Sequence, residues 1–434
     1  MLFLSASTRR STVTHSPLPT DAPAQGAEPA RFNRKLGVLL GTLLPANIAM
    51  FMVWGATASL LLSLQIQEID PKNKETNLSL VLTVGAFCAM IAQPLAGLVS
   101  DRTRSRFGPR APWIVGGALV GGLALVGMGL GTSVWQIMIA WIAVQIAYNF
   151  AQGPLSAVMP DRVPSPLRGT FSAIIGLGLM LGMVGGQMVG SQFARNIPVG
   201  YVFFAGIALV VLTLFVVLNP DKDNRERPRE PFNLRVFLSG FWVNPVKHPD
   251  FFWAFTGRLL LNAGYLMVST YMIFILQEYI GVSKERAIEL TPQFALLSMA
   301  ALLVSTLVAG PLSDKLRRRR VFVMVSAGIL ALALLIPLLM PNEGGMALFS
   351  LVSGFGFGIF QSVDTALISE VLPSKEDFAK DLGVINIAAT LPQTLAPALA
   401  GIIALSFGYA LLFPIGIVLV ILGGLAVIPV RSVR

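Results

Sequence analysis

The chain has 434 residues, 54% of them hydrophobic and only 12% charged, with a formal net charge of +10 and a mean hydropathy of +0.72. A soluble domain carries about 25% charged residues, so the composition excludes an ordinary soluble fold and points to a polytopic membrane protein. The positive charge is not a nucleic-acid signal, because its distribution follows the loops of such a protein.

Residues 1–35 are rich in Ser, Thr, Pro and Ala and read as a disordered cytoplasmic tail. The apolar start of MLFLSASTRR is too short for a signal peptide. Crossing a bilayer as a helix takes about 20 apolar residues. Such blocks recur at 38–65, 78–100, 113–132, 135–159, 170–193, 199–218, 251–277, 290–312, 321–340, 345–369, 383–406 and 408–430. They lack the period-two alternation of barrel strands. With both termini on the cytoplasmic side, 27 of the 32 Lys and Arg fall on that side, leaving Lys72, Lys74, Arg195, Lys284 and Arg286 outside. The excess of inner Lys and Arg predicts that orientation in a cytoplasmic membrane.

In the first span, Asn47 and Trp54 are candidates for substrate contact; an indole can stack on a sugar ring while its N–H meets a hydroxyl. Bundle packing is the other reading of Trp54. The second span ends in Asp101, followed by Arg102, Arg106 and Arg110. An Asp at a helix end can accept from a neighbouring helix N-terminus, and the arginines are expected to pair with acids on neighbouring helices. In the fourth span, Gln145, Tyr148, Asn149 and Gln152 share one face. Polar groups in lipid need partners, so this face is expected to point inward, either to bind a polyhydroxylated solute or to join helices.

The fifth span carries Gly178, Gly182, Gly186 and Gly190, a small stripe expected at the interface between the two halves. The polar, proline-containing break 219–250 reads as a linker. It separates an N-terminal six-helix bundle, 36–218, from a C-terminal one, 251–430. In the seventh span, Arg258, Asn262 and Tyr265 share a face. Arg258 is predicted to meet Asp364 of the tenth span, as a gate or coupling pair or as a structural ion pair. Gln361 in the tenth span and Gln393 in the eleventh are further binding candidates. No metal-ligand cluster, cofactor motif or Walker loop is present in the sequence, and no paired nucleophile and base marks an enzyme.

The halves repeat each other. AGLVSD (96–101) matches AGPLSD (309–314), setting Asp314 against Asp101. In the fourth and tenth spans, Gln152 and Gln361 are each followed nine residues later by an acid, Asp161 or Glu370, and three further by a proline. Parallel repeats of six spans imply two similar bundles around a midplane site. The expected fold is an all-α membrane protein of twelve transmembrane helices.

These residues carry a family resemblance. Gly97, Ser100, Asp101, Arg102, Arg106, Gly108 and Arg110 resemble the signature loop of the major facilitator superfamily. More narrowly, QPLAGLVSDRTRSRFGPRAPWI, with Asn149, Gln152, Gly153 and Pro154, is similar to the glycoside–pentoside–hexuronide group and its sucrose–proton symporters. The resemblance implies that Asp101 sits against the start of the eleventh span when the cytoplasmic side is shut. It also implies a sugar or glycoside substrate and coupling to H⁺ or Na⁺. Three departures stand out. Gln145 occupies the position where those symporters carry an acid, no basic residue lies within the fifth span before Arg195, and the loop reads GPRAPW where the family prefers a run of arginines. An uncoupled facilitator and an exporter of amphipathic compounds are the alternatives. The expected partners are a sugar-like solute, an ion and membrane lipid.

Overall fold

The computed structural model describes residues 33–164, 167–226, 248–316, 318–371, 391 and 395–430. The helices are α1 (Arg34–Ile69), α2 (Lys74–Arg102), α3 (Ala111–Gly129), α4 (Val134–Arg162), α5 (Arg168–Gln192) and α6 (Ile197–Leu218). The second set is α7 (Pro249–Thr270), α8 (Lys284–Leu316), α9 (Arg319–Leu339), α10 (Glu343–Val371), α11 (Leu395–Phe407) and α12 (Leu412–Ala426). Among the described residues, eleven helices are long and apolar enough to cross a membrane, and α11 is a shorter apolar helix. The fold is all-helical, with two six-helix sets.

The repeat read from sequence reappears in packing. α3 packs on α4 as α9 packs on α10; α2 on α4 as α8 on α10. Likewise α3 on α6 matches α9 on α12, and α1 on α6 matches α7 on α12. α1 and α7 also share a local feature. A π-turn comes late in each course: Thr57–Leu61 lies within α1, and Ile275–Tyr279 follows α7 after the short helical piece Met272–Phe274. Most boundaries extend past the apolar blocks by a few residues, because polar residues continue a helix beyond the hydrocarbon.

The glycine stripe of α5 packs differently from expectation. It does not face the other half. A Cβ on Gly178 would lie 2.7 Å from Asn47 Cβ, one on Gly182 2.7 Å from the Ile48 carbonyl oxygen, and one on Gly186 2.4 Å from that of Met52. Gly55 of α1 answers in kind, its Cβ position lying 2.1 Å from the Met183 carbonyl oxygen. Glycines on both helices thus let α1 and α5 touch backbone to backbone inside one half. Spacing of four sets the stripe on one face, but only packing decides which neighbour that face meets. α5 still reaches α8 across the halves.

Overpacking a close contact costs about 1–3 kcal/mol. Gly55→Ala and Gly186→Ala are therefore expected to lower the thermal stability of the purified protein in detergent. Gly41→Ala, with open space around its Cβ position, is expected to leave it unchanged.

Candidate functional site

At the α2–α3 loop the charged residues assemble around Arg110. Its side chain is 11% exposed and forms ion pairs with Asp101 and, at 3.0 Å, with Asp161 of α4. It also donates to Ser100 Oγ. Arg110 thus ties α2 to α4. Asp101 finds its partner in its own half; the start of the eleventh span lies outside the described residues. Arg106 corrects the expectation of an acidic partner, since its guanidinium stands 4.6 Å over the Phe107 ring in an exposed loop. Arg102 ends α2 half-buried. Asp314 lies in α8, but its side chain is outside the described set.

The loop is also fastened to the segment after α6. Arg162 pairs with Asp221 at 3.3 Å and donates to the Asn219 carbonyl. Asn224 accepts from the Ser105 N–H and donates to the Thr103 carbonyl. Gly108 has φ 81°, and a Cβ there would lie 2.3 Å from Asp221 Cβ. Only glycine meets both demands.

Deeper in the N-terminal half, Trp54 of α1 meets two rings of α4. Its centroid is 6.1 Å from Trp141 and 6.1 Å from Tyr148, both edge-on. Trp54 is half-buried while Trp141 and Tyr148 are fully buried. Trp141 Nε1, Tyr148 OH and Gln152 Oε1 are buried with no hydrogen-bond partner among the described residues. An unmet buried donor or acceptor costs about 1–3 kcal/mol; Trp141 Nε1 is packed against α2, 2.3 Å from where a Cβ on Gly85 would lie, which leaves Tyr148 OH and Gln152 Oε1 as the atoms open to a further partner. Gln145 packs against Gly85 of α2, and Asn149 donates back to the Gln145 carbonyl at 2.7 Å. Asn47 is buried, bonded to the Leu43 carbonyl, and faces α5 at Gly178. It does not join the aromatic group.

In the C-terminal half, Arg258 and Asp364 lie 3.0 Å apart, their side chains 11% and 5% exposed. Arg258 is nine residues into α7, roughly 14 Å of rise. Its Nε has no partner among the described residues. Asn262 donates to the Arg258 carbonyl at 2.8 Å. One turn on, Tyr265 stacks on Phe357 of α10, centroids 4.2 Å apart and planes 14° apart. The two contacts are in step, because α7 and α10 run in opposite directions. Seven residues separate Arg258 from Tyr265, and seven separate Phe357 from Asp364. Gln361 lies between Phe357 and Asp364 on that face and is exposed. Gln393 falls outside the described residues.

The aromatic contact is therefore duplicated. The repeat that aligns Gln152 with Gln361 also aligns Tyr148 with Phe357, four residues earlier in each. Trp54 lies on the first and Tyr265 on the second. Gln67 of α1 donates to Gln277 of the α7 π-turn at 2.8 Å. Trp54 and Tyr265 lie 13 and 12 residues back from that contact, roughly 18–20 Å along their helices. The two aromatic contacts thus have matched depth. Trp141 and Phe357 are not among the residues that sequence reasoning singles out. The repeat offset applied to Tyr148 points to Phe357, and the Gln145 face extended back by one turn points to Trp141.

The sequence profile of the Major Facilitator Superfamily matches residues 39–374 and 293–434. The chain is 25% identical over 306 residues to the MFS transporter asaE of Aspergillus flavus, covering 69% of this chain and 65% of that protein. The match thus spans just under two thirds of that relative's length. The chain is 23% identical over 295 residues to multidrug resistance protein MdtG of Escherichia coli, covering 67% and 69%. It is 24% identical over 213 residues to sucrose transport protein SUT1 of Oryza sativa, covering 38% and 40%. Its fold is similar to that of the crystal structure of a mutant of the nucleoside transporter NupG, with a TM-score of 0.68, 14% identity, and 90% and 98% of the two chains covered. With the duplicated helix packing, the signature loop around Asp101 and Arg110, and a profile match across nearly the whole chain, the protein belongs to the Major Facilitator Superfamily of membrane transporters.

Proposed function

We propose that the protein is a secondary transporter that moves a small polar ring-bearing solute, a sugar or glycoside, by alternating access between its two halves. The observation that carries this is the pair of like half-sites. Each half offers an aromatic contact between its first and fourth helices, with a glutamine one turn along. An aromatic face suits the C–H face of a sugar ring, and an amide offers both a donor and an acceptor to hydroxyls. The unmet Tyr148 and Gln152 atoms support a solute or water on this face of α4. Similarity to a sucrose transport protein over part of the chain supports the same class.

Orientation follows the charges: both termini and the Asp101 loop lie in the cytoplasm, and the Lys74 end lies outside. Import is the direction we favour. Coupling to H⁺ or Na⁺ would fall to Asp364, the buried carboxylate beside Arg258, since Gln145 cannot titrate. An exporter of amphipathic compounds is the second reading, favoured by the longer match to MdtG. The polar α4 face weighs against it.

Uptake by proteoliposomes from a panel of radiolabelled mono- and disaccharides and glycosides, with and without imposed pH and Na⁺ gradients, tests the reading. Accumulation of none of them, together with dye efflux from whole cells, would select the exporter. For the transported sugar, Trp54→Ala is expected to raise the half-saturation concentration about tenfold, roughly the loss of one aromatic contact. Trp135→Ala, at an exposed position, is expected to leave it unchanged. Asp364→Asn is expected to abolish uptake driven by a pH gradient while leaving solute exchange without a gradient. Unchanged pH dependence in that variant would remove Asp364 from coupling.

A further inference from the structure

The two halves are joined at the Lys74 end by a set of polar contacts that the transport reading does not use. Lys74, the first residue of α2, forms an ion pair with Glu278 of the α7 π-turn. Its ammonium also stands 5.1 Å from the centroid of the Phe274 ring. The next residue, Glu75, reaches another helix of the same set: Tyr409, just before α12, donates to Glu75 Oε1 at 2.8 Å. Ser79, one turn further, donates to the Pro397 carbonyl of α11 at 3.1 Å. A Cβ on Gly401 would lie 2.4 Å from Ser79 Cβ, so α2 and α11 meet closely here. Gln67 and Gln277 bridge α1 and α7, and Lys284 pairs with Glu68 at 3.3 Å on the rim.

Two features single out Lys74. Its side chain is 9% exposed against 36% for Lys284, while the two carboxylate partners, Glu278 and Glu68, are alike at 47% and 51%. An exposed pair contributes about 0–1 kcal/mol; a buried lysine left without its partner is far more costly. The helix ends add to this. A cation at a helix N-terminus and an anion near a helix C-terminus both oppose the helix dipole. Lys74 opens α2 and Glu278 lies at the end of α7. Each charge is therefore at the unfavourable end of its own helix, and each is neutralised by the charge of the other half. Local helix chemistry gives no reason for either residue. The contact between halves does.

We propose that the Lys74–Glu278 pair over Phe274 is the latch that holds the two halves together at this end, and that its rupture opens the solute path there. The rim pair Lys284–Glu68 is an accessory contact. By contrast, the ion pairs of Arg110 and Arg162 join groups of the N-terminal half and its following segment. The latch thus biases the protein towards the state closed at the Lys74 end, and transport requires that bias to be overcome once per cycle.

The test uses the full-length protein in lipid nanodiscs, with Cys88→Ser removing the native thiol. Spin labels at Lys72→Cys and Glu285→Cys, both exposed and on opposite halves at this end, report their separation by pulsed electron–electron resonance. The parent is expected to show mainly the short distance. Lys74→Met and Glu278→Gln are each expected to raise the ratio of long to short distances about tenfold. Lys284→Met is expected to change it less than about twofold. The double exchange Lys74→Glu with Glu278→Lys is expected to restore the short distance. Glu278→Gln keeps size and polarity, so it reads the latch even where Lys74→Met fails to fold. Two results would overturn the proposal: an unchanged distribution in folded Glu278→Gln, or a shift in Lys284→Met as large as that in the Lys74 and Glu278 variants.

Discussion

A polar side chain on a lipid-spanning helix must find a partner inside the protein, because hydrocarbon supplies none. The structure follows from that constraint. Arg258 reaches Asp364 across α7 and α10. Asn47, Asn149 and Asn262 turn back onto carbonyls of their own helices. Thr57 and Thr291 do the same. Once those bonds are made, eight buried side-chain polar atoms among the described residues remain unmet; three of them are on α4, two of these on rings that meet Trp54. The leftover polarity, rather than the total, marks the candidate site.

The same constraint gives the ends of the helices their division of labour. At the Asp101 end, Arg110, Asp161 and Arg162 bind α2, α4 and the segment after α6 into one unit. At the Lys74 end, charges and amides reach between the halves. A body held rigid at one end by its own contacts, and joined to its neighbour at the other, can rock as a unit. Close α1–α5 packing through glycine serves the same rigidity, since backbone contact leaves no flexible side chain between the helices. Alternating access needs bodies of this kind, because small changes at a site must move whole bundles.

The duplication is the thread between sequence and site. Gln152 and Gln361 align the halves, and the same offset carries Tyr148 onto Phe357. Their ring partners, Trp54 and Tyr265, share a depth because α1 and α7 are equivalent in the two sets. The halves differ in what surrounds the rings. The N-terminal half has two buried aromatic neighbours and an amide face, whereas the C-terminal half has an ion pair two turns away.

The twelve apolar blocks, the repeat, the signature loop and the shared face of Gln145 to Gln152 were all legible in the amino-acid order, since each depends on local spacing or on bulk composition. The Arg258–Asp364 contact was legible too, because a charge at that depth restricts the choice of partner. Other features depended on which helix lies beside which. Periodicity gave the α5 glycines a common face but could not say that α1 would meet it. Lys74 read only as a basic residue on the outer side, and nothing in the sequence singled out Glu278, until the fold set them against each other across the halves. Sequence spacing specifies the direction of a side chain around its own helix; the neighbour it meets is decided by the packing of all twelve.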